Sequence, residues 1–287
     1  MVVDTIAMIV NSPGIFDVLS EGGVNMIMLL PSVHKLLELG PLGSRIFLIF
    51  LLAGILASVA YALLDLSKNA KAAGGITKPG AVKSTAVLWA GIFMCITILL
   101  DITHTTVTIS DEATLGTVMV SEDILQEMYS LVQASVWEEV ITRMVYIGLP
   151  IMVISLIITR RKESLKCLFG GFGMSWAAVV LIMISSVIFG FAHSGWGYTW
   201  KIISTGISGT FLGYLFVRFG IYASILLHFL VDYLQSFLWL GLGTEVQGVI
   251  IWVCAAFGVF ALFYLLKRIY DGREQKIPSF RSSHVSI

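Results

Sequence analysis

Six ionisable residues interrupt segments that are otherwise almost wholly apolar: Glu138, Glu139, Arg143, His193, His228 and Asp232. Their types are those of acid–base chemistry. Glu139 and Arg143 are four apart, so on a helix they face one another and form an ion pair. Glu138 is five from Arg143 and projects elsewhere, left without a local partner. Such a carboxylate can act as a general base or acid. The plainer reading puts both glutamates in the headgroup zone near the start of their helix. In Phe189-Gly-Phe-Ala-His193 the ring and the imidazole share a helix face one turn apart. Gly190 between them lets another backbone or a ligand approach closely. Taken alone, His193 is as readily a satisfied polar group at a helix end. His228 and Asp232 are also four apart. They could bind a metal, Asp232 could orient the imidazole, or the two could be a buried pair with no further role.

An ionisable group in hydrocarbon costs several kcal/mol unless it is paired or hydrated. Three helices that each carry one polar patch must therefore bring these patches together, or to a common wet cavity. Glu and His around a cavity suit the activation of a water molecule. Depth agrees for Glu138 and His193, near the start and end of antiparallel neighbours. His228 enters from the opposite face, so convergence requires a site near mid-membrane or helices of unequal tilt.

The positioning elements follow from composition. Of the 287 residues, 57% are hydrophobic and 13% charged, against about 25% charged in a soluble domain. Mean hydropathy is +0.92. A soluble enzyme, a disordered chain and a secreted disulfide scaffold are excluded. The fold class is all-α, a polytopic transmembrane bundle of about seven to eight spans, each needing roughly 20 apolar residues. The spans are Ile46–Leu64, Val82–Leu100, Leu131–Ile158, Gly173–Ala192, Ile202–Val217, Ile221–Leu242 and Gln247–Leu266. Val24–Leu30 reads as an interfacial helix or a weak eighth span. The organisation is thus an interfacial or weakly spanning segment over 1–45, two spans and an outer loop over 46–130, a catalytic core over 131–266, and a basic tail over 267–287. Basic residues cluster after alternate spans, which places those loops and the C-terminus in the cytoplasm. No basic n-region or cleavage site opens the chain, so no signal peptide is expected. Gly206, Gly209 and Gly213 make a close-packing face, and Pro150 should kink its helix. Cys95, Cys167 and Cys254 lie far apart and read as packing residues. Net charge is zero, with 18 basic and 18 acidic residues, which suggests no nucleic-acid partner. The partners expected are the lipid bilayer and a peptide or protein. The protein should be an integral, multi-pass component of the cell membrane or an endomembrane.

Taken in order, Glu138-Glu139-xxx-Arg143, Phe189-xxx-His193 and His228-xxx-Asp232 resemble the motifs of the CPBP group, the CAAX-protease and bacteriocin-processing intramembrane proteases. The likeness covers about residues 132–240. It implies a fold of about eight helices and endopeptidase activity near the membrane, in CAAX-like or prenylated substrates. By that likeness Glu138 would activate the attacking water with His193 assisting. His228 and residue 232 would stabilise the oxyanion, and Glu139, Arg143 and Phe189 would support the site. Members that cleave CAAX proteins usually carry Asn where this chain has Asp232. Asn can donate to an oxyanion and an ionised Asp cannot. Asp232 must then be protonated, orient His228, or ligate a metal. The cofactor expectation is none. The alternative is zinc held by Glu138, His193, His228 and Asp232, although the His-Glu-xx-His spacing of common zinc proteases is absent. Two other functions fit the same residues: a proton-coupled transporter, and a catalytically silent scaffold or immunity protein.

Overall fold

A computed structural model describes residues 2–21, 24–30, 32–72, 74–75, 124–194 and 199–233, with isolated positions between 92 and 99 and between 248 and 263. The spans expected over Val82–Leu100 and Gln247–Leu266, the end of the span over Ile221–Leu242, and the tail 267–287 lie mostly or wholly outside these residues.

The chain begins with helix α1 (Val2–Glu21), followed by two strands, β1 (Val24–Leu30) and β2 (Ser32–Leu39), and the long helix α2 (Pro41–Ala72). A second long helical element, α3, runs over Ile124–Thr159. A short 3₁₀ helix (Lys162–Phe169) leads to α4 (Trp176–Ala192), α5 (Thr199–Phe219) and α6 (Ile221–Asp232). Among the described residues three helices are long and apolar enough to cross a membrane: α2, α3 and the Lys201–Phe219 part of α5. Helices α4 and α6 are apolar but shorter.

Val24–Leu30 is not a helix. It pairs antiparallel with Ser32–Leu39, with an irregularity at Met26/Ile27. A run of seven residues, apolar but for Asn25, between glycines and a proline is too short for a helix that must bury itself, and its length suits a strand. An open strand edge is costly beside hydrocarbon. Here α3 covers it. The carbonyls of Asn25, Ile27 and Leu29 accept from Gln133 Nε2 (2.9 Å), Trp137 Nε1 (2.7 Å) and the Tyr146 hydroxyl. Four residues of helix rise about 6 Å, close to the roughly 6.8 Å of two strand residues. Gln133 and Trp137 therefore reach alternate carbonyls on one edge.

The buried face of α2 carries Phe47, Leu48, Leu51, Ile55, Ser58 and Ala62, the three-and-four spacing of one helix side. It packs with Met8, Ile15 and Leu19 of α1, Met128, Val132 and Val136 of α3, and Phe229 and Tyr233 at the end of α6. Helix α4 lies along α5 through the glycine face expected from sequence. A Cβ on Gly190 would stand 2.6 Å from the Ile202 carbonyl oxygen. One on Gly209 would meet Ser186 Cα at 3.3 Å, and one on Gly213 would meet Ile182. The neighbour that Gly190 admits is thus a backbone. Gly220, with φ 116°, alone links α5 to α6, a conformation that costs a glycine little. That reversal returns His228 into the bundle. Cys95 and Cys167 are buried free thiols, as the packing reading expects; Cys254 is outside the described residues.

Candidate active site

Helix α3 is not a regular α-helix where the glutamates lie. Residues Ala134–Glu138 and Val140–Gly148 wind as π-helix, and α-helix resumes over Leu149–Thr159. Pairing five apart widens the turn, so consecutive residues are separated by a smaller angle than on an α-helix. Glu138 and Glu139 can then both face the interior, at 7% and 0% exposure. The wide stretch ends at Gly148, two residues before Pro150, whose missing N–H cannot continue the ladder. Glu138 also lies further from the start of its helix than the span read over Leu131–Ile158 implied. Helix α3 begins at Ile124, which puts Glu138 about 21 Å along it at about 1.5 Å per residue.

The ion pair forms as the spacing requires. Arg143 Nε lies 3.1 Å from Glu139 Oε2, and neither side chain is exposed. Glu139 does more than hold the arginine. Its other oxygen, Oε1, lies 2.9 Å from His228 Nδ1 across to α6. Glu139, not Asp232, orients the imidazole. Asp232 Oδ2 stands 3.5 Å from His228 Nε2 and accepts from the Ser135 hydroxyl at 2.9 Å. The 3.5 Å separation from Asp232 is an ion-pair distance and not a hydrogen bond, which leaves Nε2–H of a cationic ring able to face the cavity while Glu139 holds Nδ1.

Arg143 is held by two further contacts. Its Nη1 donates to Ser185 Oγ at 2.8 Å, and that hydroxyl donates to the Thr142 carbonyl at 2.6 Å. The guanidinium carbon sits 5.3 Å from the centre of the Phe189 ring. The same ring meets His193 and His228 edge-on, with centroids 4.8 and 5.8 Å apart. Phe189 therefore acts as the common wall of the polar cluster. A serine amid an apolar helix, such as Ser135 or Ser185, gives no signal in sequence that it serves a charge elsewhere.

Glu138 and His193 form the other half. His193 Nδ1 is 2.8 Å from the Phe189 carbonyl, which can only accept, so Nδ1 carries the proton. In the neutral ring Nε2 is then an acceptor. It faces Glu138 Oε2 at 3.9 Å. That carboxylate oxygen is buried and has no hydrogen-bond partner among the described residues. Two acceptors at this separation are close enough for one water to donate to both, but Oε2 is closed off from the cavity here, so that water would need a small opening beside His193.

His193, His228 and Asp232 line one cavity of about 110 Å³, together with Phe189, Leu212, Leu227 and Val231. At about 30 Å³ each it has room for roughly three waters. Glu138 is not in the lining; it lies just behind His193. The expectation that Glu138, His193 and His228 share the cavity wall is met by the histidines alone, although all three belong to one cluster. The far wall, Lys201, Ser204, Thr205 and Ser208 on α5, did not register in the sequence as part of a site.

Among the described residues no group of three or more His, Cys, Asp or Glu side chains is placed to hold a metal ion. One nitrogen of each histidine is engaged, with Glu139 and with the Phe189 carbonyl, which leaves each Nε2 open and does not by itself discriminate between a metal-bound and a metal-free site. No step is derived through a metal.

Residues 121–234 match the sequence profile of the family described as Type II CAAX prenyl endopeptidase Rce1-like. The matched stretch holds all three polar motifs. No curated protein and no solved structure matches the chain.

Proposed function

On the premise that residues 121–234 carry an Rce1-like domain of the CPBP intramembrane proteases, in an integral membrane protein, we propose that this protein hydrolyses a peptide bond at the membrane with a water activated by Glu138. The observation that carries the reading is the buried, unpartnered Glu138 Oε2 facing His193 Nε2 at 3.9 Å. A carboxylate held so, beside an accepting imidazole, is suited to take a proton from a water between them. The oxygen left attacks the scissile carbonyl carbon. The developing oxyanion accepts from His228 Nε2–H, which Glu139 aims into the cavity through Nδ1. When the C–N bond breaks, Glu138 returns the proton to the leaving amine.

Arg143 and Ser185 hold Glu139, and Phe189 holds both imidazole planes; these are positioning residues. The mechanism proposed draws on protein groups alone, with zinc held through the free Nε2 atoms as the alternative that the chelator test decides. The substrate proposed is a CAAX-like peptide, prenylated in its natural form, by likeness to the family's description.

The test is cleavage of a fluorogenic CAAX peptide, prenylated and not, by the protein in liposomes, with and without chelator. Chelator-resistant cleavage by the wild type that Glu138→Gln abolishes is expected. Cleavage lost to chelator and restored by zinc would overturn the metal-free mechanism. Turnover by folded Glu138→Gln would overturn the role of Glu138.

A further inference from the structure

The cavity has two unlike walls. One, from α4 and α6, carries His193, His228 and Asp232; the other, from α5, carries Lys201, Ser204, Thr205 and Ser208. Positions 201, 204, 205 and 208 are i, i+3, i+4 and i+7, one face of one helix. A turn further on, the same face becomes apolar at Leu212, which also lines the cavity. The polar stripe therefore ends where the cavity ends. Lysine and hydroxyls on an apolar helix normally face a wet space or a partner. These face the space beside the candidate catalytic groups.

Glu139, Arg143, His228 and Asp232 hold one another, and with Glu138 ionised the cluster carries one net negative charge that Lys201 faces from the other wall. Glu139 lies between Arg143 and His228, and Asp232 lies between His228 and Ser135. Lys201 forms no ion pair among the described residues. Ser204 makes only a long bond to its own helix, 3.3 Å to the Lys201 carbonyl. An ammonium with three hydroxyls beside it is a donor-rich surface, complementary to a small anion. A peptide always brings one such anion, its terminal carboxylate.

We propose that Lys201, Ser204, Thr205 and Ser208 form a subsite for the free C-terminal carboxylate of the peptide substrate. The inference rests on the endopeptidase reading and adds the residues that recognise the end of the chain. The subsite lines the same cavity as His193 and His228, so it sets the terminus on the side of the candidate catalytic groups. Lys201 supplies the charge, and the hydroxyls orient the carboxylate.

The test separates binding from cleavage. Two fluorescent peptides of one sequence, a free acid and a C-terminal amide, are titrated against the protein in nanodiscs of neutral lipid. A third, an amide ending in aspartate, carries the same charge on a side chain. Wild type should bind the acid at least tenfold more tightly than the amide. Lys201→Gln should bring that ratio to within about twofold, and Lys201→Arg should keep most of it. Ser208→Ala and Thr205→Val, which leave the charge in place, should each lower the ratio in part. Equal binding of acid and amide by wild type, or a ratio that survives Lys201→Gln, would overturn the subsite. So would an aspartate amide bound as tightly as the acid. Cleavage of the same peptides is read separately. Acid-selective binding without cleavage would remove the endopeptidase reading and leave the carboxylate site. Cleavage without selectivity would do the reverse.

Discussion

Glu138 and Glu139 are adjacent and buried, yet neutralising each should do opposite things. Glu139 accepts from Arg143 Nε at 3.1 Å and engages His228 Nδ1 at 2.9 Å. Gln at 139 keeps one accepting oxygen and turns an NH₂ on the other donor. Either the arginine or the imidazole is left buried without its partner. Removing one member of a buried pair costs about 3–5 kcal/mol, so Glu139→Gln should lose about that much of its unfolding free energy. Glu138 Oε2 has no partner to lose. Glu138→Gln should change stability by less than about 1 kcal/mol, or raise it, since a buried unpaired charge is costly. Its effect should fall on the reaction instead. Loss of a general base costs about 10²–10⁴ in rate, which at 1.36 kcal/mol per tenfold is about 3–5 kcal/mol of barrier. The two substitutions thus place free energies of similar size on different quantities. The assay is denaturant unfolding in mixed micelles beside peptide cleavage per folded molecule. If Glu138→Gln unfolds as readily as Glu139→Gln, the carboxylate is structural and the reasoning fails. It fails equally if Glu139→Gln is as stable as wild type.

Asp232→Asn should keep cleavage within about tenfold of wild type, because the amide oxygen still accepts from Ser135 and the NH₂ adds a donor beside the cavity; bound metal measured on the same preparation should not change, and loss of both activity and stoichiometric zinc would reverse the conclusion. Ser185→Ala strips the acceptor from Arg143 Nη1 and should cost about 1–3 kcal/mol of stability, read in the same micelle titration, whereas a neutral result would mean the guanidinium is satisfied without it. Gly190→Ala drives a Cβ to 2.6 Å from the Ile202 carbonyl and should destabilise by about 1–3 kcal/mol, while alanine at exposed Gly40, with nothing within 4 Å, should be tolerated; equal unfolding curves would refute the close α4–α5 approach.

Several features were legible in the sequence because they are local or compositional. A chain with 13% charged residues has too little polar surface to live in water, so the membrane follows from arithmetic. The Glu139–Arg143 pair follows from a spacing of four on one helix, and the α4–α5 contact from glycines at 206, 209 and 213. That the polar patches of α3, α4 and α6 meet follows from the cost of leaving charge in hydrocarbon. What each group does within the meeting depends on contacts distant in sequence, which no spacing reveals. Glu139 reaches His228 over 89 positions and Ser135 reaches Asp232 over 97, so the imidazole is oriented by a residue that local geometry gave only to Arg143. The π-helical turns that let both glutamates face inward are a tertiary choice as well. They are set by what α3 must satisfy on several sides, including the carbonyls of β1. That strand was read as a helix or a weak span because seven residues, apolar but for Asn25, carry no period. It became a strand because Gln133, Trp137 and Tyr146 were there to receive its edge.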